Sequence, residues 1–156
     1  MRLMEVQIKI PFLQTWYPRL GLGEQELRTY LEGPTLQTCS HRNYGKLHGL
    51  HIFANDPIDT TDYFLLDGQV VLIYLENDRV QNELKPSQIT DLLGEPTRAS
   101  TLRSRADRDA RLYVYAEHGI AFSAQEGRID YIELFQPMTF AAYLKNIYWE
   151  PGPWYD

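Results

Sequence analysis

The chain reads as an α+β fold: two tandem helix–loop–three-strand units forming one antiparallel sheet with helices on one face. Three observations predict it. Apolar positions between Lys85 and Phe135 recur first at helical and then at strand spacing. Turn residues punctuate the strands at Asp67-Gly68 and at Gln125-Glu126-Gly127. Finally, Gly23–Asn55 repeats the start of this unit 62 positions earlier, placing Leu31 on Leu93, Pro34-Thr35 on Pro96-Thr97, Leu50 on Leu112 and Ala54 on Ala116. Beyond that loop the spacing falls to 59, with Gly68 on Gly127, Ile73 on Ile132 and Leu75 on Leu134. The same order at near-constant spacing reads as a degenerate tandem duplication, with units at about 23–76 and 85–135 inside a single domain, 1–156.

Taken in order, Met4, Val6, Ile8 and Ile10 alternate with polar residues and predict an opening strand that Pro11 ends. Trp16-Tyr17 fits a short helical turn, which Pro18 keeps short. A helix follows over Glu24–Leu31, then a loop, Leu36–Leu47, carrying Cys39, His41, Arg42 and Lys46. Leu50–Ala54, Tyr63–Leu66 and Gln69–Glu76 read as the strands of the first unit. Asn77–Leu84 links the units without Gly or Pro. Pro86 suits the first turn of the second helix, Ile89, Leu92 and Leu93 share its apolar face, and Gly94 with Pro96 stops it. An arginine-rich loop, Arg98–Arg111, leads to strands Leu112–Ala116, Ile120–Ala124 and Ile129–Phe135. Thr139 is placed to cap a last helix with a stripe of Phe140, Tyr143, Leu144, Ile147 and Tyr148, ahead of an aromatic tail; together they span 138–156.

Composition limits the function classes. With 156 residues, 44% of them hydrophobic, the chain is long enough for one core and too apolar for disorder. No run of about 18 apolar residues offers a membrane span, and the start lacks the apolar core of a secretory signal. One cysteine leaves no internal disulfide and points to a cytoplasmic protein. A net charge of −6 makes nucleic acid an unlikely partner, because phosphate neutralisation needs a clustered positive surface.

Side chains along a strand alternate between the two faces of a sheet. If Leu50, Ile52 and Ala54 join Leu112, Val114 and Ala116 against the helices, His51, Phe53, Tyr113 and Tyr115 point the other way, joined by Tyr74 and Tyr131. Such a face, with Phe53, Tyr74, Tyr113, Tyr115 and Tyr131, has the composition of an interface core. The alternative is that the last helix or the tail, with Trp149, Trp154 and Tyr155, folds across it. Arg103, Arg105 and Arg108 in the basic loop could grip acidic groups, or pair with Asp107 and Asp109.

Catalytic and metal signals are weak. His48 and His51, three apart on a strand, face opposite ways, a poor arrangement for shared metal ligation, and no Cys-x-x-Cys or His-Glu-x-x-His motif occurs. Cys39 with His41 is the one nucleophile–base pair in view, and nothing nearby in sequence orients it. No phosphate-binding glycine loop is present, so no cofactor or metal is expected.

The pattern Leu93-Gly94-x-Pro96, Tyr113-x-Tyr115 and the Gly127-Arg128 turn resembles one unit of the bacterial SmpA/OmlA outer-membrane assembly lipoproteins. Two such units in tandem resemble the β-lactamase-inhibitory-protein (BLIP-like) architecture. That resemblance implies a sheet face used to bind protein, and no catalytic residue. The chain is therefore expected to be a non-enzymatic interaction module: an assembly factor, adaptor, inhibitor or immunity-type protein. Its partner, an unidentified protein, would meet Phe53, Tyr74, Tyr113, Tyr115, Tyr131, Arg103, Arg105, Arg108 and Trp154. The competing expectation is a small-molecule binder or small enzyme with a pocket between the units near Cys39, His41 and Arg103.

Overall fold

The computed structural model describes residues 10–31, 35–56, 59–76 and 78–151. The expected opening strand lies outside them up to Lys9, and so does Trp154. The fold is α+β. One antiparallel sheet of eight strands contains β1 (Thr35–Tyr44), β2 (Leu47–Asp56), β3 (Asp59–Leu66), β4 (Gln69–Leu75), β5 (Thr101–Arg103), β6 (Arg111–Tyr115), β7 (Ile120–Gln125) and β8 (Arg128–Phe135). Their order is β1-β2-β3-β4-β8-β7-β6-β5, so two four-strand meanders meet at β4 and β8. Among the described residues four helices accompany the sheet: α1 (Glu24–Tyr30), α2 (Asp78–Glu83), α3 (Pro86–Leu93) and α4 (Phe140–Asn146).

Each half contains four strands where three were expected. Both additions come from segments read as loops: β1 from Leu36–Leu47 and β5 from Arg98–Arg111. The reason is visible in β1. It lies on the edge of the sheet and Gln37–Asn43 are all exposed, so no apolar alternation marks it. Pairing with β2 makes it a strand. The linker Asn77–Leu84 likewise contains α2, whose Val80 is fully buried.

Local chemistry is the same at corresponding points of the two halves. The Gly23 N–H at the start of α1 donates to Glu26 Oε1 at 2.9 Å, and the Lys85 N–H at the start of α3 donates to Gln88 Oε1 at 2.7 Å. Both contacts satisfy an otherwise orphaned amide. The β3–β4 turn places Asp67 and Gly68 at φ 52° and 80°; the β7–β8 turn places Glu126 and Gly127 at 52° and 73°. Two consecutive positive φ values suit the twist of a tight hairpin. The register slips by one residue between Phe64 and Leu65, and again between Ser123 and Ala124. At the centre Tyr74 lies opposite Glu133, flanked by Ile73–Leu134 and Leu75–Ile132.

One face of the sheet carries the larger core, built from Ile52, Tyr63, Ile73, Phe122, Ile132 and Leu134. Leu27 of α1, Val80 of α2 and Ile89 of α3 cover it, together with two 3-10 turns over Pro11–Thr15 and Tyr17–Arg19. These turns are pinned from below: Trp16 Nε1 donates to Thr61 Oγ1 at 3.2 Å, and the Tyr17 hydroxyl donates to the Gly119 carbonyl at 3.3 Å.

The helices are not confined to that face. Tyr143 and Ile147, in and just after α4, pack on the opposite side against Leu112, Val114, Ala121 and Phe135. Thr139 Oγ1 caps α4 by accepting from the Ala142 N–H at 3.1 Å. The chain then passes the β1–β2 turn so closely that a Cβ on Gly45 (φ 59°) would sit 2.1 Å from the Ile147 carbonyl oxygen. Of the expected stripe, Tyr143, Ile147 and Tyr148 are buried and Leu144 remains exposed.

Candidate functional site

The aromatic residues expected on one face divide between two. Tyr113 and Tyr115 pack with the larger core beneath α3, and the Tyr115 hydroxyl donates to the Gly94 carbonyl at 2.7 Å. Their neighbours Leu112, Val114 and Ala116 face α4 instead. Aligning Leu50 with Leu112 is one residue out of register with the sheet, and in a strand a one-residue slip exchanges every side chain between faces. Tyr74 and Tyr131 do lie on the α4 side, where Tyr131 is buried.

The pairing traces two rows outward from the centre on this second face. In the second half, Glu133 is followed by Ala121 and Val114, and Tyr131 by Ser123, Leu112 and Leu102. In the first half, Tyr74 is followed by Asp62, Phe53 and Gln37, and Leu72 by Phe64, His51 and Cys39. The two halves thus present different chemistry at matching positions. Leu112, Val114 and Ala121 are buried with α4. Opposite them in the scheme stand His51, Phe53 and Asp62, which line an open cleft.

That cleft has a volume of about 380 Å³ and is lined by Gln37, Thr38, Cys39, Arg42, His51, Phe53 and Asp62. His51, buried against the ring of Phe64 (centroids 4.8 Å apart), has its Nε2 2.6 Å from Asp62 Oδ1. Its Nδ1 lies 3.5 Å from Arg42 Nη1. Donation from Nε2 to the carboxylate leaves Nδ1 as the accepting nitrogen, so Asp62 sets both the tautomer and the ring orientation. A β-bulge supplies Arg42: pairing jumps from Cys39–His51 to Arg42–Gly49, and the extra residue turns Arg42 onto the face of His51. Arg42 is exposed and forms no ion pair with a described residue. Cys39, also exposed, donates from Sγ to the His41 carbonyl at 3.2 Å, while the His41 ring stacks on His48.

Between this cleft and α4 lies a closed polar node. Glu133 is completely buried; its carboxylate accepts from the Tyr44 and Tyr143 hydroxyls, and Arg105 Nη1 stands 3.8 Å from its Oε2. Arg105 also donates to the Tyr44 hydroxyl at 2.5 Å and lies over the rings of Tyr44, Tyr131 and Trp149 at 4.9, 5.0 and 4.3 Å. Burial raises the carboxyl of Glu133 above the usual carboxylate range, against the opposing pull of Arg105 and the two hydroxyls. Arg105 therefore points inward and holds the basic loop to the sheet. Of the other loop arginines, Arg103 contacts Glu150 Oε1 at 3.1 Å and Arg108 is exposed.

The pocket expected near Cys39, His41 and Arg103 is not formed. Cys39 and His41 are on β1 and Arg103 is on β5, the two opposite edges of the sheet. The residues that do join Cys39 are Arg42, His51 and Asp62. Their sequence signal was faint: a histidine and a phenylalanine at alternate positions of an otherwise apolar strand, and an aspartate that reads as turn chemistry. A second cavity, about 490 Å³, opens under α3 between Lys85, Pro86, Thr90, Tyr113 and Phe122. Among the described residues no group of three His, Cys, Asp or Glu side chains is placed to hold a metal ion, and no helix is long and apolar enough to cross a membrane. No family model, curated protein or solved structure matches the chain.

Proposed function

We propose that this chain is a non-enzymatic protein-interaction module that docks a protein partner on the first-half sheet face, around Phe53 and Tyr74. The observation that carries this reading is the asymmetry of the α4-side face. Over β6–β8 Leu112, Val114 and Ala121 are buried with α4 and the buried Glu133 is enclosed by Tyr44, Tyr143 and Arg105, whereas over β1–β3 the described residues leave Cys39 and Arg42 exposed beside a half-buried Phe53. An aromatic flanked by hydrogen-bonding groups on a rigid sheet is the composition of an interface centre.

The same reading takes the chain as a tandem duplication, supported by the matched amide caps, turns and register slips of the two halves. It accords with the resemblance to SmpA/OmlA units and to the BLIP-like arrangement, in which a combined sheet presents a binding face. Among the basic loop residues Arg103 and Arg108 are exposed, and Trp149 is 45% exposed.

The test is affinity capture from the lysate of the native organism, comparing wild type with Phe53→Arg and with Arg98→Gln as a surface control. The reading expects one protein, held by wild type and by the control, to be lost with Phe53→Arg at unchanged melting temperature. Capture that is indifferent to Phe53 removes this face as the interface.

A further inference from the structure

The two halves serve as an internal control for one another. At the second-half positions the fold is satisfied by Leu102, Leu112, Val114 and Ala121, which need only be covered. At the corresponding first-half positions stand Cys39, His51, Phe53 and Asp62, and a bulge adds Arg42. Nothing about the sheet demands polar groups there, since the other half is built without them. Polar side chains placed where apolar ones suffice, hydrogen-bonded to each other and open to a cleft, are the arrangement of a binding site.

We infer that this cleft is a carboxylate-binding pocket, in which Arg42 receives an aspartate, glutamate or chain-terminal carboxylate of the partner against the wall formed by Phe53. The inference rests on the proposed docking of a protein at this half-face and names the chemical group that anchors it. Charge complementarity selects the occupant. Arg42 has no carboxylate of its own among the described residues, and its one contact, to His51 Nδ1, is long at 3.5 Å. Its guanidinium keeps a planar fork of donors free for two parallel bonds to a carboxylate.

Asp62 is the group that would repel such an anion, and its position answers the objection. Its Oδ1 is held by His51 Nε2 at 2.6 Å, so one of its two oxygens is engaged within the wall of the cleft. The Asp62–His51 pair thus serves as a rigid backing that fixes where Arg42 can lie. Gln37 lines the same cleft and adds an amide donor for the second carboxylate oxygen. The bulge between Cys39 and Arg42 explains how an edge strand delivers the guanidinium to this face, because a regular β1 would turn it away.

The experiment is a titration of the isotopically labelled chain with sodium acetate and, separately, sodium phosphate, followed by amide NMR shifts at fixed pH and ionic strength. The inference expects saturable shifts confined to Arg42, Gly49, His51 and Phe53. Arg42→Gln should weaken acetate by about tenfold or more and Arg42→Lys by severalfold, because lysine offers no planar fork. Arg98→Gln should leave it unchanged. Shifts that do not saturate, that spread over the surface, or that persist in Arg42→Gln overturn the site. Tighter binding of phosphate than of acetate at the same residues overturns the carboxylate assignment. Capture of the partner separates the two readings. If Phe53→Arg abolishes capture while Arg42→Gln does not, and acetate shows no saturation, the pocket falls and the interface stands. If acetate saturates normally but capture ignores Phe53, the pocket stands and the docking role falls.

Discussion

Replacing Glu133 by glutamine tests whether the closed node holds the C-terminal segment to the sheet. The substitution keeps shape and volume and removes the negative charge next to Arg105, a guanidinium whose side chain is 13% exposed. At 3.8 Å and an effective dielectric of about 20, that attraction is worth about 4 kcal/mol. Desolvation of the buried carboxylate opposes it and is the larger effect on the carboxyl, so the neutral glutamine escapes a cost that the ionised side chain carries. What glutamine loses is an acceptor for one of the two tyrosine hydroxyls, worth about 1–2 kcal/mol. That loss is expected in full at acid pH, where the wild-type carboxyl holds its proton, and in reduced size at neutral pH; urea unfolding at both measures it directly. The pH dependence supplies a second signature. Burial raises the Glu133 carboxyl in the folded state, so the native chain holds this proton more tightly than the unfolded one. Its contribution to stability is complete below the ordinary carboxylate range and is lost as pH rises through the folded-state value. The gap between wild type and Glu133→Gln should therefore narrow with rising pH across that window. A loss under about 0.5 kcal/mol at acid pH, the size expected of an ordinary surface change, would refute the node as a fastening. A gap that widens with pH would show that the attraction of Arg105 and the hydroxyls outweighs burial.

Gly45→Ala should destabilise by more than about 1 kcal/mol, since it combines a left-handed φ of 59° with a Cβ 2.1 Å from the Ile147 carbonyl. Limited proteolysis should then cut first in the segment after Pro137, and an unaltered digestion pattern would count against close docking there. Asp67→Gly and Glu126→Gly should each stabilise or leave stability unchanged, whereas Asp67→Val and Glu126→Val should each cost about 1–2 kcal/mol, because both residues hold φ at 52°. Unequal responses of the two hairpins in thermal unfolding would break the parallel between the halves.

Much of this fold was legible where local chemistry alone decides the outcome. Pro86 and Gly94 bound α3 because one lacks an N–H at a place that needs none and the other adopts φ 94°. Asp67-Gly68 and Glu126-Gly127 announce hairpins for the same kind of reason. What escaped was set by pairing across the chain. The β1 sequence Thr-Leu-Gln-Thr-Cys-Ser-His-Arg-Asn-Tyr carries no alternation, because an exposed edge strand has no buried face to encode. The last helix was legible as an element but not in its destination, since a stripe of Tyr143, Ile147 and Tyr148 says that something is covered without saying which face.

The candidate site was hidden by a single residue of register. Matching Leu50 to Leu112 by identity is the natural choice, yet the sheet puts His51 where Leu112 stands in the other half and Phe53 where Val114 stands. Sequence similarity is greatest where both halves bury the same kind of side chain, so an alignment scored on apolar matches is drawn towards the wrong parity. Positions at which the two halves differ in polarity contribute nothing to such a score. Arg42 is doubly concealed, because it reaches the site only through a bulge that leaves no mark in composition. The positions at which the two halves differ in polarity, once the register is known, are therefore the informative ones. On this face the first half carries His51 and Asp62 where the second has Leu112 and Ala121, and the second carries Ser123 and Glu133 where the first has Phe64 and Tyr74. The second-half pair is buried, whereas the first-half pair lines a cleft formed by β1, β2 and β3.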